Sequence, residues 1–549
     1  MVRATFGGRL AALAAVIAVL ALTQALIAPV ASGQQGYVPI TGSGSTWSFN
    51  ALDQWRRNVD NLYQIQVQFS PSGSSTGRSD FKAQQVDFAV SEIPYGLTDN
   101  GVTEAPPAGR PFAYMPIVAG GTAFMYNLKI GNNRVTNLRL SGQVIAKIFT
   151  RVITNWSDPQ IKADNPGLTL PARPIVPVVR SDGSGTTAQL TRWMATKFGP
   201  IWDAFCGRPN CGFTSNFPTR PGIESRGQST GVAGFVAQNS SEGAITYVEY
   251  SYARNSGFPV AKVLNDGGYY IEPKATSVAV ALTQAQIAPD LTQNLDPVYS
   301  FKDPRSYPLS SYSYMILPVE PNPPGSRFTP DKGRTLSTFG YYFLCDGQQQ
   351  ADELGYSPLP YNLVQAGVRQ LARVPGTTNK LDPNNIRGCR NPTFTPDGSG
   401  NALAQTAPQP DPCDKQGATQ CTAGTAGARQ PTPNNGGGST GGGSTGGGNT
   451  GGGSTGGGST GGGNTGGGTN NAGATNGGAP VVDPATGEVI GSNDGTSLAS
   501  NPSAIPVQVD LPGDTQRKVL TVLTVVFLIA LVLGPPLASR MLQQRRGGS

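Results

Sequence analysis

Arg180, Ser184, Gly185, Thr186 and Thr187 fall within eight consecutive residues, RSDGSGTT, a spacing suited to holding an oxyanion. A guanidinium brings a full charge and paired donors, and hydroxyls add neutral ones. Downstream, Leu190, Trp193, Met194, Phe198 and Ile201 recur at three- and four-residue spacing and predict a helix, with Gly199-Pro200 marking its end. The loop therefore lies at a helix N-terminus, where about four backbone N–H groups lack partners and roughly half a positive charge is exposed. Anions bind well at such ends. A nucleoside triphosphate is not expected, because no lysine follows Gly185 as the order G-x-x-x-x-G-K-[ST] requires. Taken alone, the loop is equally an ordinary helix cap.

Three further stretches share its chemistry: GSGSTWSFNALDQW (Gly42 to Trp55), SGSSTGRSDFKAQ (Ser72 to Gln84) and GQSTGVAGFVAQ (Gly227 to Gln238). Each sets glycines and hydroxyls before an amphipathic run. If the four converge they form a socket of donors around Arg180; the alternative is capping in a chain rich in serine and glycine. Selection among anions would fall to Glu92, at the end of the strand-like VDFAVSEIPYG. A carboxylate repels a fully ionised oxyanion such as sulfate but accepts a hydrogen bond from one that keeps a proton, such as phosphate. A buried acceptor left unpaired costs about 1 to 3 kcal/mol. The alternative is a surface glutamate at a strand end.

Composition removes other chemistries. The chain has no histidine, which excludes Ser-His and Cys-His catalysis and histidine-bound zinc. Its six cysteines begin at Cys206 and read as disulfides. The most local of the 15 pairings is Cys206 with Cys211, Cys345 with Cys389 and Cys413 with Cys421. The net charge of +7 resides in Arg3, Arg9, Arg517, Lys518, Arg540, Arg545 and Arg546, leaving 33 basic and 33 acidic groups between 37 and 516. Binding to nucleic acid is therefore not expected.

The elements that must position the socket lie between these ends. Residues 1–33 read as a signal peptide, with an apolar run behind Arg3 and Arg9 followed by APVASG; a retained helix is the alternative. Val519 to Ser539 carries no charge over 21 residues, close to the ~20 that span a bilayer. This predicts a transmembrane helix over 517–539 and a cytoplasmic tail over 540–549. Six GGGST or GGGNT pentapeptides from Gly436 to Gly468 centre a linker expected to be disordered over 397–515. Its r.m.s. reach would be on the order of 60 Å. Upstream, β-rich runs (IQVQF, VDFAV, TAFMYNL, PIVPVV) alternate with helical ones (Phe49 to Asp60, Ser141 to Phe149), which indicates an α/β body large enough for two lobes.

Two segments carry a family resemblance: IFTRVITNWSDPQIKADNPGLTLPARPIVPVVRSDGSGTT (Ile148 to Thr187) and GAITYVEYSYA (Gly243 to Ala253). Both resemble the PstS-type phosphate-binding proteins of high-affinity phosphate ABC importers. The resemblance implies a type II periplasmic binding protein fold, with lobe I over 37–118 and 308–396 and lobe II over 119–307. Hinge crossovers would lie near Pro116 to Gly121 and Tyr307 to Tyr312. It places phosphate ligands on Thr46, the N–H of Trp47, Ser74, Glu92, Arg180, Ser184, the N–H of Gly185 and Thr186, with Asp182 orienting the arginine. Glu92 stands where the family has aspartate, one methylene longer, so either the pocket shifts or selectivity changes. Trp47 replaces a phenylalanine that acts through its backbone. The implied function is extracytoplasmic capture of inorganic phosphate, without catalysis, cofactor or metal, and delivery to ABC permease subunits. The carrier would be a monomer anchored to the cell membrane by its C-terminal helix. Alternatives are a tethered phosphate sensor or scaffold without a permease, a phosphatase, and a binder of another tetrahedral anion.

Overall fold

The structure, a computed structural model, describes residues 36–433 apart from 379, 387, 398 and 399. The expected signal peptide, the glycine repeats, the 517–539 span and the tail all lie outside the described residues. Among those described, no helix is long and apolar enough to cross a membrane.

The chain alternates strands and helices, as the mixed periodicity predicts. In order these are β1 (Ile40–Gly44), α1 (Phe49–Tyr63), β2 (Val67–Ser70), α2 (Ser74–Lys82), β3 (Phe88–Ser91), β4 (Phe112–Tyr126), β5 (Arg139–Leu140), α3 (Gly142–Phe149), β6 (Val176–Arg180) and α4 (Gly185–Cys206). There follow β7 (Glu224–Arg226), α5 (Gln228–Ala237), β8 (Ala244–Glu249), α6 (Tyr250–Asn255), β9 (Val260–Leu264), β10 (Tyr270–Ile271), α7 (Ala275–Leu282), β11 (Ser310–Pro318), α8 (Pro330–Leu344), α9 (Tyr361–Leu371) and α10 (Ala402–Gln405). Eleven strands form one sheet with the path β7-β6-β8-β4-β11-β3-β1-β2, and β5, β9 and β10 branch from it. Strands at each end run parallel, β1 with β2 and β3, and β6 with β7 and β8, while the central β4 and β11 pair antiparallel.

Strand β4 joins the two ends. Its 15 residues are far longer than the usual five or six and almost entirely apolar, and all after Phe112 are buried. From Phe112 to Gly121 it pairs with β11; from Thr122 to Tyr126 its partner is β8. The change falls at Gly120-Gly121, where a Cβ would lie 2.7 Å from the Trp47 ring and 2.5 Å from Pro273 respectively. Only glycine lets those neighbours close in. The segments expected as crossovers, Pro116 to Gly121 and Tyr307 to Tyr312, lie in β4 and at the start of β11.

Two expectations need correction. The first segment of helix α4 does break at Phe198 (φ −135°), beside the expected Gly199-Pro200 stop, but a second segment follows and runs to Cys206. Pro200 is tolerated because it sits in the first turn of the second segment, where its missing N–H costs nothing. The linker expected from 397 begins later, because residues 400–433 fold back onto the body. Ala404 and Ala407 pack against Ala279 and Val280 of α7, Asn137 Nδ2 donates to Cys421 O at 2.8 Å, and Thr425 Oγ1 donates to Val260 O at 2.6 Å. Lys262 Nζ reaches Asp414 Oδ2 at 2.6 Å, and Thr432 Oγ1 accepts from Thr136 N at 2.8 Å. This strap is held by backbone and polar bonds rather than an apolar stripe. The three local disulfide pairings are all present.

Candidate functional site

The four glycine-hydroxyl loops are followed by α1, α2, α4 and α5, and they meet. Helices α1 and α4 are directed by their apolar faces: α1 buries Ala51, Leu52, Trp55 and Val59, and α4 buries Leu190, Trp193 and Met194. Their N-termini then converge beyond the strand ends, the usual place for a ligand in open α/β sheets. Thr46, Trp47, Ser74, Glu92, Arg180, Ser184 and Thr186 are each at most 3% exposed.

Bonds between the loops are specific. Thr46 Oγ1 lies 2.7 Å from Ser229 Oγ, joining the first loop to the fourth. Gly185 N donates to Ser74 Oγ at 3.1 Å, joining the third to the second. Arg180 stands at the end of β6; its Nε donates to Asp182 Oδ1 at 2.8 Å, its Nη2 to Oδ2, and its Nη1 to Ser229 Oγ at 3.3 Å. Asp182 also accepts from Gln228 N at 2.8 Å. Burial pushes its carboxyl up, but the Arg180 hydrogen bonds and charge prevail and hold it below the usual value. Ser184 caps α4 by accepting from Thr187 N at 3.2 Å. Thr186 Oγ1 is buried without a protein partner, an available donor in the socket.

Glu92 lies at the centre. Its Oε2 accepts from Ser45 Oγ at 2.7 Å and Ser74 Oγ at 2.8 Å, and its Oε1 accepts from Ser313 Oγ at 2.7 Å. Two of these serines relay backbone donors, since Ser45 Oγ accepts from Trp47 N at 3.0 Å and Ser74 from Gly185 N. The carboxylate is thus the acceptor toward which three hydroxyls and, behind them, two N–H groups are oriented. Burial raises its pKa, and the Ser45, Ser313 and Ser74 bonds oppose that rise.

All nine sequence-derived residues therefore come together, and four others join them. Ser45 and Ser229 were visible inside their glycine-hydroxyl loops but not distinguishable from neighbouring serines. Tyr252, whose hydroxyl donates to Thr46 O at 2.5 Å, follows α6's first residues and carried no signal beyond the YVEYSY repeat of aromatics. Ser313 lies on β11, 221 residues from Glu92, beside a register shift in the β11–β4 pairing, and nothing local marks it. Among the described residues, Asp411, Asp414 and Cys421 approach metal-ligand spacing, but Cys421 is bonded to Cys413.

Comparison with known proteins adds a family context. The model of the PBP superfamily domain matches residues 29–347. The phosphate-binding protein PstS of Xylella fastidiosa (strain Temecula1) is 30% identical over 339 residues, covering 61% of this chain and 86% of that protein. Phosphate-binding protein PstS3 of Mycobacterium bovis (strain BCG) is 31% identical over 330 residues, with 59% and 84% covered. Similar solved structures include the periplasmic phosphate-binding protein PfluDING bound with phosphate (19% identity, TM-score 0.45, 63% of this chain and 98% of that one). An ABC-type phosphate transport receptor from Vibrio cholerae is another (17% identity, TM-score 0.36, 58% and 100% covered).

Proposed function

The chain belongs to the PstS family of phosphate-binding proteins within the PBP superfamily, and on that premise we propose that it captures inorganic phosphate outside the cytoplasm for an ABC transporter. One observation carries the reading. Four glycine-hydroxyl loops, brought from positions 42 to 238, converge on a single buried cluster with one arginine. Phosphate would be held there, stripped of water, by Thr46, Ser74, Ser184 and Thr186 hydroxyls, the N–H groups of Trp47 and Gly185, and Arg180 locked flat by Asp182. Glu92 would accept the ligand's remaining proton, which sulfate lacks. Capture of this kind breaks no bond.

In this reading residues 37–118 and 308–396 form lobe I, 119–307 form lobe II, and β4 with the approach to β11 is the hinge on which they close. The leader, the glycine-rich linker and the apolar 517–539 segment would keep a monomeric binding body beside its permease, with the tail in the cytoplasm. At the end of the described strap, Thr432 bonds Thr136 N and Arg134 O.

Calorimetric titration of the full-length chain, stripped of anion, with phosphate and then sulfate tests this. Micromolar or tighter phosphate binding is expected, with no sulfate binding. Glu92→Gln should weaken that preference. A folded parent that binds no phosphate sinks the reading.

A further inference from the structure

Thr46 is held from the opposite lobe by one residue in two ways. Ser229 N donates to Thr46 Oγ1 at 3.3 Å, while Ser229 Oγ lies 2.7 Å from the same oxygen. Ser229 Oγ in turn accepts from Arg180 Nη1 at 3.3 Å. Ser229 is 1% exposed and Thr46 2%, so neither hydroxyl has bulk water to satisfy it. Behind Thr46, Tyr252 OH fixes its carbonyl. The backbone is set to deliver Ser229 to this place: Gln228, just before it, adopts φ 62°, the left-handed region that non-glycine residues seldom occupy, and its N–H is spent on Asp182.

A threonine hydroxyl has one proton and two lone pairs. From these contacts we infer that Ser229 is a positioning residue for phosphate, filling both lone pairs of Thr46 so that its single proton points into the socket. The Ser229 N–H takes one lone pair. Arg180 fills one lone pair of Ser229 Oγ, and the serine proton takes the other lone pair of Thr46. The result is a directional chain, Arg180 to Ser229 to Thr46 to a phosphate oxygen, in which each bond polarises the next. It exists only when Thr46 of lobe I meets Ser229 of lobe II. Closure therefore converts Thr46 from an undirected hydroxyl into a committed donor, and an anion that needs a donor there is retained by the closed form. Ser45, which accepts from Trp47 N and gives its proton to Glu92, is the opposite case: its single proton is already committed within lobe I.

The inference rests on the phosphate reading, and a double-mutant cycle separates the two. Full-length parent, Ser229→Ala, Thr46→Val and the double variant are titrated with inorganic phosphate, and dissociation is followed by stopped flow. Parent binding tests the functional reading itself; its absence removes both. Given parent binding, Ser229→Ala is expected to weaken phosphate about tenfold, mainly by faster dissociation, yet by less than about twofold in the Thr46→Val background. Ser229→Cys, which retains bulk but donates weakly, should repeat the loss and serves if the alanine variant does not fold. A serine acting only on stability would cost the same in both backgrounds. That result, or undiminished binding by Ser229→Ala or Ser229→Cys, overturns the proposal.

Discussion

Gly185 approaches Glu92 so closely that a Cβ added to it would lie 2.1 Å from Glu92 Oε2 and 2.6 Å from Ser74 Oγ. Three loops meet at this point, and the first residue of α4 must be bare for them to do so. Gly185→Ala should push the third loop away from the second and break the Gly185 N to Ser74 Oγ bond. Overpacking of this kind costs about 1 to 3 kcal/mol. Phosphate affinity should fall by about ten- to a hundredfold, with the ligand-free melting temperature much less affected. Equal affinities for parent and variant by calorimetry would show that the loops have room to spare.

Glu92 gives the fold a pH dependence of a definite sign. Burial raises its carboxyl above the ordinary 4.5, so the native state holds a proton that the unfolded chain releases. The contribution to stability is fully present below 4.5 and is lost as pH rises through the raised native value. Glu249, also buried and raised well above its ordinary value, acts in the same direction, so the parent profile alone is not diagnostic. The difference between parent and Glu92→Gln isolates the group. Parent stability relative to the variant should be greatest below pH 4.5 and decline as pH rises through the raised native value, measured by melting without phosphate. Parallel profiles would count against the assignment.

What could be read from the sequence and what could not divide along locality. A helix start with glycine and hydroxyls is written in adjacent residues, so all four loops, Arg180 and the acid at the end of β3 were legible. Ser313 was not, because its meeting with Glu92 depends on the β11–β4 and β11–β3 registers, and one step of slip would turn it away. The strap was missed for a different reason. Residues 400–433 have the proline, alanine and threonine content of a linker, and their order comes from partners supplied by the folded body, such as Arg139 Nη1 on Thr419 O at 2.8 Å. The kink in α4 was legible as a break in pattern, but not as a helix resuming after it.

Asp182 should behave opposite to Glu92. Despite burial, Arg180 holds its carboxyl below 3.8, so its stabilising contribution is present above that value and is lost as pH falls through the depressed one. Asp182→Asn leaves Arg180, 3% exposed, with a neutral partner and frees the guanidinium to rotate. Phosphate binding near neutral pH should weaken about tenfold, the usual scale for losing a charged orienting bond. The acid-side loss of stability between pH 3.8 and lower values should be reduced relative to the parent. A variant that matched the parent in both respects would show that the β6 framework alone orients Arg180.

The strap offers a test far from the socket. Deleting residues 402–433 within the full chain removes the Cys413–Cys421 disulfide intact, uncovers Ala279 and Val280, and strips partners from Lys262, Glu272, Asn137 and Thr136. Each buried polar group left unpaired costs about 1 to 3 kcal/mol, and water will satisfy only those newly exposed. The melting temperature should therefore fall by more than about 5 °C. Phosphate binding to the remaining folded protein should persist, because none of these contacts reaches Thr46, Glu92 or Arg180. An unchanged melting temperature would mean that the body is complete without the strap. Loss of binding in a deletion variant that stays folded would instead mean that the strap, which follows Thr393 and its bond to Leu359 O and then packs on α7, acts on the socket through the body between them.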